Sequence, residues 1–199
     1  VRPPKRLERS ENPDTRDMEF LVGFAPGTRP LAGPKGWAKR IPAGSRLVFQ
    51  MHYTPIGTAQ MDRSSVGLIF VDKKEVTHQL VTTNTINHQF RIPANHPNYK
   101  VESRKTIRRD AVMFSLFPHM HMRGKSFRYE LTHPDGRHEI LLDIPTYDFN
   151  WQYSYIFRKP FKLAKGSQLH CTAVFDNSDQ NLANPDPSKP VQWGEQTWE

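Results

Sequence analysis

Val112-Met113-Phe114-Ser115-Leu116 runs directly into Phe117-Pro118-His119-Met120-His121-Met122-Arg123-Gly124-Lys125. The apolar run is rich in residues that favour extended backbone, and it predicts a strand over 111–122. Side chains two residues apart on a strand project from one face. His119 and His121 therefore point the same way, close enough for one ion. Imidazole suits copper, zinc, iron or nickel, a thioether partner shifts the preference toward copper, and methionines surround this pair.

Working outward, the same punctuation recurs along the chain. Seventeen prolines and eleven glycines among 199 residues divide it into short segments, as an antiparallel β protein requires. Hydrophobic content is 36%, and 12 Phe, 6 Tyr and 4 Trp supply large side chains for a core. Strands are expected around 18–24, over 46–53 and 65–71, and near 78–92, 98–107, 126–133, 137–144, 152–159 and 167–176. His133-Pro134-Asp135-Gly136 predicts a hairpin turn. No stretch keeps a helical period. The fold class is all-β.

A faint repeat bears on domain organisation. Pro42-Ala43-Gly44-Ser45-Arg46-Leu47 precedes one strand-like run, and Ala164-Lys165-Gly166-Ser167-Gln168-Leu169 precedes another. Either β proteins reuse one turn chemistry, or two related sandwiches stand in tandem. The two readings stand near even, and the two metal sites implied by the family resemblance described below tip the balance to the second. The expected division is 1–75 and 76–199, joined at the charged stretch Asp72-Lys73-Lys74-Glu75.

Net charge is +8, and the densest basic run, Arg104-Lys105-Thr106-Ile107-Arg108-Arg109, is closed by Asp110. Lysines and arginines on a strand edge discourage edge pairing. No nucleic-acid recognition motif accompanies them, so no nucleic-acid partner is expected. The lone Cys171 forbids an intrachain disulfide and a cysteine-type zinc site. No apolar run is long enough to span a membrane.

His52 is the other histidine singled out. On 46–53, Leu47, Phe49, Met51 and Tyr53 share the more apolar face, leaving Val48, Gln50 and His52 on the other. By itself His52 reads as an ordinary exposed or hydrogen-bonded residue. His78, His88, His96, His133, His138 and His170 read as structural or solvent-facing, and His170 faces away from its neighbour Cys171. A His-x-His pair on a β protein also resembles the cupins. Those want a glutamate a few residues on, whereas the next acid here is Glu130, beyond Gly124.

Three segments together resemble the copper type II, ascorbate-dependent monooxygenases, the family of peptidylglycine α-hydroxylating and dopamine β-monooxygenases. Phe49-Gln50-Met51-His52-Tyr53 resembles the strand bearing the third histidine of that family's first copper site. Phe117 to Lys125 resembles its His-x-His-x-x-Gly-Lys/Arg segment. Trp193-Gly194-Glu195-Gln196-Thr197-Trp198-Glu199 resembles the lead-in to its Asp/Glu-Glu-Met motif. Tyr147-Asp148-Phe149-Asn150-Trp151-Gln152, with Phe175-Asp176-Asn177-Ser178, is most similar to bacterial members.

The resemblance implies two jelly-roll-like sandwiches, the first incomplete. It makes 1–75 part of the electron-transfer copper domain and 76–199 the oxygen and substrate copper domain lacking its last strand. His52 would hold the first copper, and His119 and His121 the second. The family's adjacent His-His pair would precede Val1, and its methionine ligand would follow Glu199. A chain ending there would by itself be inactive. The implied reaction hydroxylates a C–H bond of a small organic substrate with O2, using ascorbate or a similar electron donor, in a secreted or periplasmic setting. Phe117 stands where peptide-processing members carry an arginine, which argues against a substrate with a free C-terminal carboxylate. The rival expectation is a non-catalytic copper-binding or carrier β domain.

Overall fold

The computed structural model describes residues 19–25, 28–53 and 56–199. Among them the protein is all-β, with a single turn of 3-10 helix, Lys73–Glu75. Asp72 caps that turn by accepting from Lys74 N at 2.9 Å.

The described residues form ten strands, eight of which follow residue 90. In chain order they are β1 (Trp37–Lys39), β2 (His78–Leu80), β3 (Arg91–Ile92), β4 (Tyr99–Thr106), β5 (Ala111–Leu116), β6 (Gly124–Thr132), β7 (His138–Ile144), β8 (Tyr155–Leu163), β9 (Gln168–Phe175) and β10 (Val191–Gln192). An antiparallel sheet in the order β4-β9-β6-β7 forms one layer, and the antiparallel pair β5-β8 forms the other. Alternation puts Tyr129 and Leu131 of β6, and Leu169 and Cys171 of β9, on the inner face. There they meet Leu116 of β5 and Leu163 of β8, with Phe157 and Phe161 packed against them. Burying each such side chain contributes about 1.5–3 kcal/mol, so this interlayer is what holds the strands together.

The β6–β7 hairpin turns where the sequence predicts. Gly136 takes φ 86°, which only glycine adopts at little cost, and Asp135 Oδ1 accepts from Arg137 N at 3.0 Å. Strands expected near 98–107, 126–133, 137–144 and 167–176 are present as β4, β6, β7 and β9. The one expected near 152–159 begins later, as β8.

Elsewhere the expectations fail. Residues 46–53 and 65–71 form no strand, nor do 19–24. Strand backbone gains its hydrogen bonds only from a partner, and none is ladder-paired here. The run near 78–92 keeps only β2 and β3. The strand expected over 111–122 stops at Leu116, because Pro118 has no N–H to continue the ladder and sits fully buried. Expectations for 1–18, and for the turn at Thr54 and Pro55, lie outside the described residues. Across the expected joint, β1 pairs in parallel with β2, and Trp37 stacks on His78 with ring centroids 4.6 Å apart.

Candidate metal centre

His119 and His121 sit on the loop between β5 and β6, at one end of the sandwich. Although the loop is not a strand, its backbone keeps the alternation. Pro118 and Met120 are buried, while His119 is exposed and His121 half-buried; the alternation ends there, with Met122 half-buried and Arg123 buried. The two imidazoles consequently share a side, with centroids 5.3 Å apart and planes at 83°. The Phe117 ring lies parallel to His119 at 6.3 Å, giving that side an apolar flank.

Tyr147, on the loop between β7 and β8, sets this backbone. Met120 N donates to the Tyr147 hydroxyl at 3.0 Å, and the hydroxyl donates to Met120 O at 3.0 Å. One phenol thus serves both main-chain groups of the residue between the histidines. Met120 itself packs inward with Tyr147 and Ala173. It is core, on the face opposite the imidazoles, so the expected surround of methionines does not hold at this position. Gly124 closes the loop by donating to His121 O at 2.8 Å. A Cβ there would lie 2.8 Å from both Met120 Cβ and Tyr147 Cδ1, which explains the glycine by close approach rather than by dihedral freedom.

Each histidine is held through Nδ1. His119 Nδ1 lies 2.6 Å from Gln152 Oε1. Gln152 is buried, and its Nε2 donates to Phe149 O at 2.8 Å. A carbonyl can only accept, so the amide nitrogen must face Phe149 and the amide oxygen must face His119. His121 Nδ1 lies 2.9 Å from the main-chain oxygen of Glu199, again an acceptor only. Both rings must therefore donate from Nδ1. In their neutral forms the lone pair of each sits on Nε2, the arrangement that a metal-binding imidazole shows when its other nitrogen is tied down.

Burial lowers the His121 pKa below the ordinary imidazole value. The bond to Glu199 opposes this, while repulsion from His119 and His52 adds to it. The shift favours the neutral ring, the form in which an imidazole ligates a metal. His52 belongs to the exposed stretch 46–53, yet it lies within electrostatic reach of His121. The fold accordingly pairs His119 with His121. No group of three or more His, Cys, Asp or Glu among the described residues is arranged to hold a metal ion by itself.

Sequence reasoning missed Tyr147, Gln152 and Glu199 O as partners of the pair. Tyr147 and Gln152 fall in a segment already notable for its aromatic and amide content, but nothing local says which loop they face. Of the other histidines, His133 Nε2 pairs with Glu139 at 2.7 Å, and His170 lies between Glu102 and Glu130 on the outer face of β9, away from Cys171. Among the described residues no helix is long and apolar enough to cross a membrane. No protein-family model matches this chain, and no curated protein matches it significantly.

Proposed function

We propose that this chain carries the substrate-side copper centre of a copper monooxygenase that hydroxylates a C–H bond of a small organic molecule with O2 and ascorbate or a similar reductant. The observation that carries the reading is the pair of Nδ1 tethers, which leaves two Nε2 lone pairs on one side of a single loop. Two neutral imidazoles are a suitable donor set for copper in either oxidation state, so the residues fit the metal.

His119 and His121 would hold the ion there, and His52 would help hold the electron-transfer copper of the neighbouring region. Bound copper supplies one-electron redox chemistry and a place for O2 to react. The protein's own share is positional. Gln152 and Glu199 O keep the two rings oriented, Tyr147 keeps their spacing, and Phe117 offers substrate an apolar surface without a cation. This division of labour extends to the wider chain as a reading in which 76–199 is the oxygen and substrate domain.

A carrier is the second reading, and the exposure of His119 favours it, since a delivery site must be reachable. The burial of Met120 counts against it, because a His-Met-His-Met run cannot then present alternating ligands. Copper analysis of the chain and of the His119→Ala/His121→Ala double variant, with O2 consumption under ascorbate and candidate substrates, decides between them. Copper retained by the double variant sinks both. Copper lost with the pair, but no substrate-dependent O2 uptake in the natural protein, leaves the carrier.

A further inference from the structure

We infer that Arg123 and Asn177 are positioning residues for His121, acting through the main chain of 197–199. The inference rests on the metal-centre reading for its purpose, though not for its geometry. Arg123 is only 4% exposed, a rare place for a guanidinium. Its Nε donates to Asn177 Oδ1 at 2.7 Å, and its Nη1 donates to the main-chain oxygen of Trp198. Both acceptors are neutral, so these contacts do not form an ion pair. What a planar fork does here is join two acceptors that are remote in sequence.

Asn177 is the anchor. It is fully buried, and every polar atom of its side chain is used. Its oxygen accepts from Arg123 Nε and from Asn184 Nδ2 at 3.0 Å, while its Nδ2 donates to Pro93 O and Lys189 O, each at 2.9 Å. The two carbonyls fix which way the amide points, and so aim its oxygen at Arg123. Asn177 N adds a bond to His96 O at 2.9 Å. Arg123 is thereby fastened to loops at 93–96, 184 and 189.

From that anchor three successive residues grip the final segment. Arg123 holds Trp198 O, Met122 N donates to Thr197 O at 3.1 Å, and His121 Nδ1 bonds Glu199 O at 2.9 Å. Only the Arg123 contact is charge-assisted and tied to the buried network. Without it, the segment is tied to the loop of the pair only by the Met122 bond and the histidine itself, because the remaining bonds of Glu199, from its N to Gln196 O at 2.9 Å and from Gln196 N to its carboxylate at 3.2 Å, stay within the segment. His119 is tethered independently by Gln152, which shares no hydrogen bond with Arg123 or Asn177, and so provides an internal control.

The test is long-range 15N–1H correlation of histidine-labelled, metal-free protein at alkaline pH, where imidazoles are neutral and the protonated ring nitrogen is read directly. In the unaltered protein both His119 and His121 should be Nδ1–H. In Arg123→Met, and in Arg123→Lys, which keeps the charge but cannot span both acceptors, His121 should become a mixture with Nε2–H while His119 stays Nδ1–H. Copper affinity, measured by chelator competition, should fall about tenfold in both variants. An unaltered His121 that is Nε2–H overturns the inference without any variant. So does a folded variant whose His121 is unchanged, or one in which both histidines change together. A selective His121 response in a protein that binds no copper would retain the positioning role and discard the metal reading. Copper held by the pair with no response to Arg123 would do the reverse.

Discussion

Two stretches of this chain begin alike and end differently. At 42–45 and 164–167 a Gly-Ser turn closes in the same way, with Ser45 N bonded to Pro42 O at 3.2 Å and Ser167 N to Ala164 O at 3.1 Å. Gly44 and Gly166 take φ 81° and 89°. Both turns feed an alternating apolar run. After the second, β9 forms with β4 on one side and β6 on the other, and Leu169 is 7% exposed. After the first no strand forms, and Leu47 is 50% exposed. Turn geometry is a local property that four residues can satisfy. A strand is not, because its main-chain bonds and its apolar face both need neighbours. The histidines singled out from sequence straddle this contrast, with His119 and His121 on the packed region and His52 on the open one.

The largest effect should come from the interlayer. Leu131→Ala, at a fully buried position, should cost about 2–5 kcal/mol in urea unfolding, whereas Ile69→Ala, at 97% exposure, should stay within about 0.5 kcal/mol. An equal loss at Ile69 would mean that 65–71 is packed in solution, and the contrast would collapse.

Alkaline pH probes the packed half through two buried acids. Burial raises the Cys171 thiol from 9.0 to about 11 and the Tyr147 phenol from 10.0 to about 12. Both groups keep their proton longer when folded than when unfolded. Their contribution is therefore complete below pH 9 and lost as pH climbs from about 9 to about 12, on the order of 2–3 kcal/mol for each group. A denaturation series over that range should show the decline, and Cys171→Ala should remove its part of the pH dependence. For the same reason Cys171 should resist thiol reagents at neutral pH until the protein unfolds.

A smaller effect belongs to the loop that carries the pair. Tyr147→Phe strips both hydrogen bonds from the buried Met120 main chain and should cost about 1–2 kcal/mol. Gly124→Ala forces contacts with Met120 and Tyr147 and should cost a similar amount, about 1–3 kcal/mol. Because the added methyl meets the Tyr147 ring, the two changes should couple in a double-mutant cycle. Strict additivity would show that the loop does not rest on Tyr147.

The smallest effect should be that of His52→Ala. Stability should change by less than about 0.5 kcal/mol. Copper affinity at His119 and His121 should stay within about threefold, as expected for a neighbour that acts by charge alone. A loss comparable to that of His121→Ala would show that His52 ligates the same ion, joining the open and packed regions at one centre.

The sequence by itself determined what is local. Pro and Gly punctuation, the Pro134-Asp135-Gly136 turn, the alternation in β4, β6, β7 and β9, and the shared side of His119 and His121 all follow from one to eight consecutive residues. The same-side placement survived even though the strand ended at Leu116, because extended backbone alternates whether or not it is ladder-paired. Only the tertiary structure decided which alternating runs find partners, and so turned 168–175 into a strand and left 46–53 without one. It alone also decided the surroundings of the pair. Gln152 lies 33 residues from His119, Glu199 lies 78 residues from His121, and Asn177 lies 54 from Arg123. The physical reason is directional. A hydrogen bond that fixes a ring nitrogen depends on where separate loops converge at one end of a sandwich, and convergence is a property of packing that no spacing along the chain encodes.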